Sequence, residues 1–134
     1  MLTRRGFVGC ALCAVTGFLA TGADAQNAPT AGVKRTILSR MDGPMPGYET
    51  IEARVEGEAG GVIARHTHFG IETSYVIEGE LELTIDGSGT KSYKAGEGFQ
   101  VPAGAIHGGK TGDKPIVLAG VYVVEKGKPL ATPA

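Results

Sequence analysis

Short alternating segments separated by glycine are the feature that most restricts how this chain can fold. The sequence has 134 residues, of which 22 are glycine. In the clearest segment, residues 81–86, Leu81, Leu83 and Ile85 share one face and polar residues share the other. A period of two residues is that of a β-strand with one buried face. Since no segment after residue 25 has a convincing helical period, the sequence predicts an all-β barrel or sandwich.

Seven segments have the composition or alternation of a strand, and turn-forming residues separate them. They are residues 34–40, 48–56, 62–68, 74–77, 81–85, 98–102 and 115–125. We therefore expect an N-terminal leader and edge strand over residues 26–47 and a β-barrel over residues 48–125. The polar tail, residues 126–134, is expected either to fray or to lie on a partner.

Residues 1–25 have the features of a cleaved export signal. Arg4 and Arg5 precede an apolar run over residues 8–20, which is too short to span a bilayer. Residues 23–25 fit the small-x-small rule for cleavage, and the arginine pair resembles the twin-arginine export signal. We expect a periplasmic protein that is exported folded; a retained membrane anchor is the alternative.

Composition argues against several other kinds of partner and chemistry. Both cysteines, Cys10 and Cys13, lie inside the predicted signal, so the mature chain would have neither disulfides nor thiol chemistry. The formal net charge is −1 and no basic cluster occurs, so nucleic acid is not an expected partner. No basic amphipathic helix is predicted, so we expect no membrane association after signal removal.

All three histidines of the chain fall where they could bind one metal ion. His66 and His68 would share a face of one strand, and Glu72 has the same parity. His107 follows the strand predicted at residues 98–102 and could close the site from the side. Three imidazoles and one carboxylate suit a divalent transition metal. The alternatives are three histidines that bind no metal, and a Glu72 that acts as a general base or a surface group.

Two motifs enclose these residues. The first consists of Gly60, His66-Thr67-His68, Glu72 and Gly79. The second consists of Gly96, Pro102-Ala103-Gly104, His107 and Thr111. Together they resemble the two motifs of the cupin superfamily, which has asparagine at the position of Thr111. The resemblance implies a double-stranded β-helix (cupin or jelly-roll) barrel, often dimeric. It also implies one metal ion in the barrel mouth, bound by His66, His68, Glu72 and His107.

Three functions remain open for such a site. Four protein ligands leave about two open positions on a six-coordinate ion, which favours catalysis or ligand capture. We favour a dioxygenase-like enzyme that uses Mn or Fe and acts on a small oxygen-bearing metabolite. A redox-neutral isomerase, lyase or decarboxylase, with the ion as Lewis acid, is the second reading. A non-catalytic binder of small ligands is the third; Zn, Ni or Cu are the alternative metals, and a homodimer is expected.

Overall fold

The computed structural model describes residues 30–134. All the regular secondary structure in that range is β-strand. The predicted export signal, residues 1–25, lies outside the described residues. Within residues 30–134 there is no helix that is long and apolar enough to cross a membrane.

Within residues 30–134, ten strands form two five-stranded sheets, and every neighbouring pair is antiparallel. One sheet has the order β1-β2-β9-β4-β7 and the other β10-β3-β8-β5-β6. The strands are β1 Val33–Asp42, β2 Tyr48–Gly57, β3 Val62–Thr67, β4 Gly70–Glu78, β5 Glu80–Ile85, β6 Gly89–Lys94, β7 Gly98–Val101, β8 His107–Thr111, β9 Ile116–Glu125 and β10 Thr132–Pro133. The predicted all-β double-stranded β-helix fold is confirmed.

The core lies between the two sheets and follows the alternation of the sequence. On β2, Ile51, Ala53 and Val55 are buried, whereas Glu52 and Arg54 are exposed. The inward residues of β4, β5 and β9 join the same apolar cluster from both sheets. Each such aliphatic side chain contributes about 1.5–3 kcal/mol on burial, so the alternation fixes which face of each strand points inward.

Glycine and proline occupy the turns that the sequence predicted. The four motif glycines have positive φ angles, between 65° and 91°, which side chains other than glycine rarely adopt. They are Gly60, Gly79, Gly96 and Gly104. Pro102 directly follows β7, an edge strand, where its missing N–H breaks no ladder bond.

The C-terminal tail is part of the fold, so the expectation that it frays is wrong for residues 130–133. Leu130 is fully buried and belongs to the core cluster. Beyond it, β10 pairs with β3, and Pro133 lies opposite His66. The apolar side chain of Leu130 explains why this otherwise polar segment is anchored on its own barrel.

Candidate metal centre

The structure brings together the four predicted ligands, His66, His68, Glu72 and His107. One ligand atom from each side chain lies within 4.8 Å of every other, and all four residues are buried. His66 on β3 pairs in register with His107 on β8. Glu72 comes from β4 of the facing sheet. His107 is thus the first residue of a strand that was not predicted, and the site lies between the sheets.

The chain changes sheets between His68 and Glu72. β3 ends at Thr67, and β4 begins in the other sheet at Gly70. Gly70 has a φ of 159°, and a Cβ added there would lie 2.0 Å from the carbonyl oxygen of Val123 on β9. Because glycine has no side chain, the crossing can pass this close to β9. Both side chains are buried as predicted, but His68 lies in the connection just past β3, outside the strand it was predicted to share with His66, whereas Glu72 lies on β4 of the other sheet.

Backbone carbonyls fix the orientation of all three imidazoles. A carbonyl oxygen only accepts, so the facing Nδ1 carries the proton, and Nε2 of a neutral imidazole keeps a lone pair. Metal-binding histidines in proteins are commonly held in this way. The acceptors are Ala64 for His66 at 2.8 Å, Ala105 for His107 at 3.0 Å, and Leu130 for His68.

The carboxylate of Glu72 faces Nε2 of His68 and Nε2 of His107. In a neutral imidazole whose proton is on Nδ1, Nε2 has no proton to donate to that carboxylate. Its Oε2 lies 2.9 Å from Nε2 of His68 and 3.4 Å from Nε2 of His107. Nε2 of His107 is buried and has no hydrogen-bond partner among the described residues. Oε1 accepts a 2.6 Å hydrogen bond from Oγ of Ser74, which orients the carboxylate. Inward-facing lone pairs on nitrogen and oxygen are what a divalent cation satisfies, so the residues present fit a metal ion.

The pKa values of two ligands favour the forms that bind metal. Burial lowers the pKa of His66 to about 4, against an ordinary value of 6.5. Burial alone would raise the pKa of Glu72, but hydrogen bonds outweigh it and hold that pKa below its ordinary value. Nε2 of His107 and Nε2 of His68 donate such bonds only when they carry a proton, whereas the Ser74 hydroxyl donates in either case. His66 is therefore neutral and Glu72 ionised near neutral pH, as metal binding requires.

A small cavity of about 30 Å³ adjoins the centre. His66, Glu72 and His107 line part of its wall, and Arg35 of β1 and Tyr122 of β9 line another part. Sequence reasoning identified neither Arg35 nor Tyr122 as a residue of the site. The alternation of β9 places Tyr122 on the buried face of that strand, so its inward orientation could have been predicted. Arg35 lies in neither motif, and nothing in the sequence marked it.

Comparison with known proteins identifies the family of this fold and site. Residues 53–127 match the cupin domain. A germin-like protein, subfamily 2 member 2, of Arabidopsis thaliana is 38% identical over 78 residues. The match covers 52% of this chain but only 36% of the germin-like protein, so the chain corresponds to a little over a third of that relative.

Solved structures have the same architecture. An RmlC-like cupin from Shewanella frigidimarina is 26% identical with a TM-score of 0.56, and the match covers 69% of this chain and 76% of that one. A recombinant oxalate oxidase in complex with glycolate is 24% identical with a TM-score of 0.60, covering 79% of this chain and 57% of the oxidase. A polyketide cyclase and a DMSP lyase also share the fold, at 23% and 20% identity. The chain belongs to the cupin family.

Proposed function

We propose that this cupin is an exported, metal-dependent enzyme that acts on a small oxygen-bearing metabolite. One divalent transition-metal ion would be bound by His66, His68, Glu72 and His107. The observation that carries the proposal is a set of three imidazoles whose Nδ1 atoms face backbone carbonyls and which, together with Glu72, place one ligand atom each within 4.8 Å of every other. The roles of the four residues as ligands are part of the proposal.

Manganese or iron is the metal we propose, with zinc, nickel or copper as alternatives. Mixed nitrogen and oxygen donors suit all of these ions, and copper and zinc bind such sites more tightly than manganese or iron. Folding before export through a twin-arginine route, proposed from Arg4 and Arg5, would let the protein take its metal in the cytoplasm. The buried ligands would then slow exchange after export.

A dioxygenase-like reaction is the chemistry that we favour. When bound, the ion would supply about two open positions, which allow it to bind O₂ or a chelating substrate, or to act as a Lewis acid. On the side of Arg35 and Tyr122 the chain limits what reaches those positions, since the cavity that adjoins the ligands there has a volume of only about 30 Å³. A cavity of that volume favours a small metabolite as the substrate. Neighbours with this fold include a lyase and a cyclase as well as an oxidase, so the fold does not choose the reaction.

Metal analysis is the first test. We expect about one Mn or Fe per chain in protein exported by its own signal and purified without chelator or nickel resin. Oxygen uptake with substrate would support the oxygenase, whereas turnover under argon would move the assignment to a redox-neutral isomerase, lyase or decarboxylase. Metal-loaded protein that binds small ligands without turnover would leave a non-catalytic binder.

Ligand variants test the site itself. His66→Ala and His107→Ala should each lower metal content and thermal stability. Thr67→Val is the matched control, because Thr67 lies between two ligands without being one, and its buried hydroxyl has no hydrogen-bond partner among residues 30–134 to lose. Full metal occupancy in both histidine variants would refute the site assignment.

Periplasmic location and a homodimer complete the proposal. For the location, replacing Arg4 and Arg5 with lysines should block export in a fractionation assay. For the dimer, support comes from the outer face of the β1-β2-β9-β4-β7 sheet, where exposed apolar side chains lie on the adjacent strands β4 and β9. They are Ile71, Tyr75, Ile77 and Val121. Light scattering coupled to size exclusion would give the mass of a monomer if this face does not pair.

A further inference from the structure

Arg35 reaches the cavity beside the metal centre from the edge strand β1. It lines the same cavity as His66, Glu72 and His107. Its Cζ lies 5.7 Å from the ring centroid of Tyr122, whose ring centroid is 5.1 Å from that of His68. Tyr122 therefore bridges the guanidinium and the ligand set by direct ring contacts.

The guanidinium of Arg35 has no anionic partner among residues 30–134. Nη1 donates to the neutral Oγ1 of Thr30 at 3.3 Å, and the buried Nε has no hydrogen-bond partner in the part of the chain that the structure describes. None of the ion pairs formed by the described residues includes Arg35. By contrast Arg40, on the same strand, pairs with Glu49 at 3.3 Å. A buried N–H of a cation without an acceptor is costly, so this group is suited to an incoming acceptor.

The charge of the metal-loaded cavity points to an anion. Among the described residues that line the cavity, Arg35 and Glu72 carry a charge. The two lining histidines are neutral when they act as metal ligands. A divalent ion together with Glu72 and Arg35 leaves an excess of two positive charges. An excess of that size in a half-open, largely apolar cavity favours an anionic ligand over a neutral one.

The shape of the cavity limits that anion to a few heavy atoms. At about 10–15 Å³ per water, a volume of about 30 Å³ holds roughly two or three water molecules, which is the space of a carboxylate with three or four heavy atoms. Aliphatic side chains such as Leu81, Leu83 and Leu118 form much of the wall. A guanidinium matches the two oxygens of a carboxylate better than it matches other small groups. We infer that the cavity binds small carboxylates, with Arg35 anchoring the carboxylate next to an open metal position. This inference rests on the proposed function, because the ligand would share the site with the metal ion.

Calorimetry with matched probes tests the inference. Manganese-loaded wild-type protein is titrated with acetate and with acetamide, which have the same size but differ in charge. Acetate should bind and acetamide should bind far more weakly. Arg35→Met, which keeps an unbranched stem of similar length, should weaken acetate binding roughly 10- to 100-fold, the range expected for a hydrogen bond to a charged group. Arg35→Lys keeps the charge but lacks the fork and should fall in between.

The controls separate this inference from the proposed function. Arg54→Met is the matched control, because Arg54 is a surface residue paired with Glu56 and should leave acetate affinity unchanged. Metal content and thermal unfolding are measured on the same samples. Full metal content with equal acetate affinity in wild type and both Arg35 variants overturns the role of Arg35 alone. Equal binding of acetamide, or no binding of acetate, overturns the carboxylate class. A wild type that takes up no metal refutes the proposed function and, with it, this inference.

Discussion

Replacing Glu72 with glutamine distinguishes two uses of the buried carboxylate. Oε2 of Glu72 lies 2.9 Å from Nε2 of His68, while Nδ1 of His68 donates to the carbonyl of Leu130. If Nε2 has no proton, two lone pairs face each other and the contact needs a metal ion. If Nε2 is protonated, the contact is a buried ion pair that is stable without metal.

The two cases predict opposite changes in the stability of metal-free protein. In the first case the glutamine amide donates to Nε2 of His68, and its carbonyl still accepts from Ser74 as Oε1 of Glu72 does. The metal-free variant is then as stable as wild type or gains about 1 kcal/mol, roughly 4 °C in Tm for a domain of this size. In the second case, removing one partner of a buried pair costs about 3–5 kcal/mol and lowers Tm by more than about 10 °C. We expect the first.

The assay is thermal unfolding followed by circular dichroism, in EDTA and then with Mn(II). Loss of the anionic ligand should weaken metal binding at least about 100-fold, which removes about 2.7 kcal/mol of metal-induced stabilisation. Glu82→Gln, on the exposed face of β5, is the control and should behave as wild type. A metal-free Glu72→Gln protein that melts far below wild type yet keeps the full metal-induced rise would refute the metal-ligand role of Glu72.

Three further perturbations test single contacts. The free energy of unfolding of metal-free protein should fall by up to about 3 kcal/mol as pH drops from 6.5 to about 4, because buried His66 stays neutral while the same residue in the unfolded chain takes up a proton. The urea midpoints of wild type and His66→Asn should therefore converge over that pH range. Leu130→Ala should cost about 2–5 kcal/mol in urea unfolding, since the side chain is fully buried, and a change near zero would mean that the tail is not docked. Thr111→Val should cost about 1–3 kcal/mol, because the buried Oγ1 accepts from the N–H of Gly61 at 2.7 Å and donates to the carbonyl of Glu58; wild-type stability by the same assay would contradict this.

Alternation predicted the strands that bury one face, because over most of each strand the buried side chains alternate with side chains that are partly or fully exposed. β2, β5 and β9 are such strands. β6 is nearly all exposed and β8 contains Gly108 and Gly109, so neither has an alternating apolar pattern. They are strands because their neighbours pair with them, β6 with β5, and β8 with β3 and β5. Pairing of that kind is a tertiary effect that a local pattern does not contain.

The sequence predicted which side chains meet but not what holds them. The spacing of the histidines and Glu72 was enough to place four residues in one cluster. The acceptors that orient the imidazoles are backbone carbonyls, which every residue has, so Ala64, Ala105 and Leu130 carry no signal in their identity. Arg35 lies on an edge strand outside both motifs, and only the packing of β1 on β2 brings it to the cavity.

The carbonyl that orients His68 belongs to a residue 62 positions further along the chain. Nine of the ten strands in residues 30–134 precede Leu130, so a growing polypeptide contains almost the whole barrel before this acceptor leaves the ribosome. The orientation of His68 therefore depends on a long-range contact that forms only after the rest of the ligand set has been synthesised. If the proposed metal ion needs that orientation, a molecule that holds the ion tightly has already docked the segment around Leu130. Metal occupancy would thus report finished folding, which makes it a natural checkpoint for any export route that accepts only folded cargo.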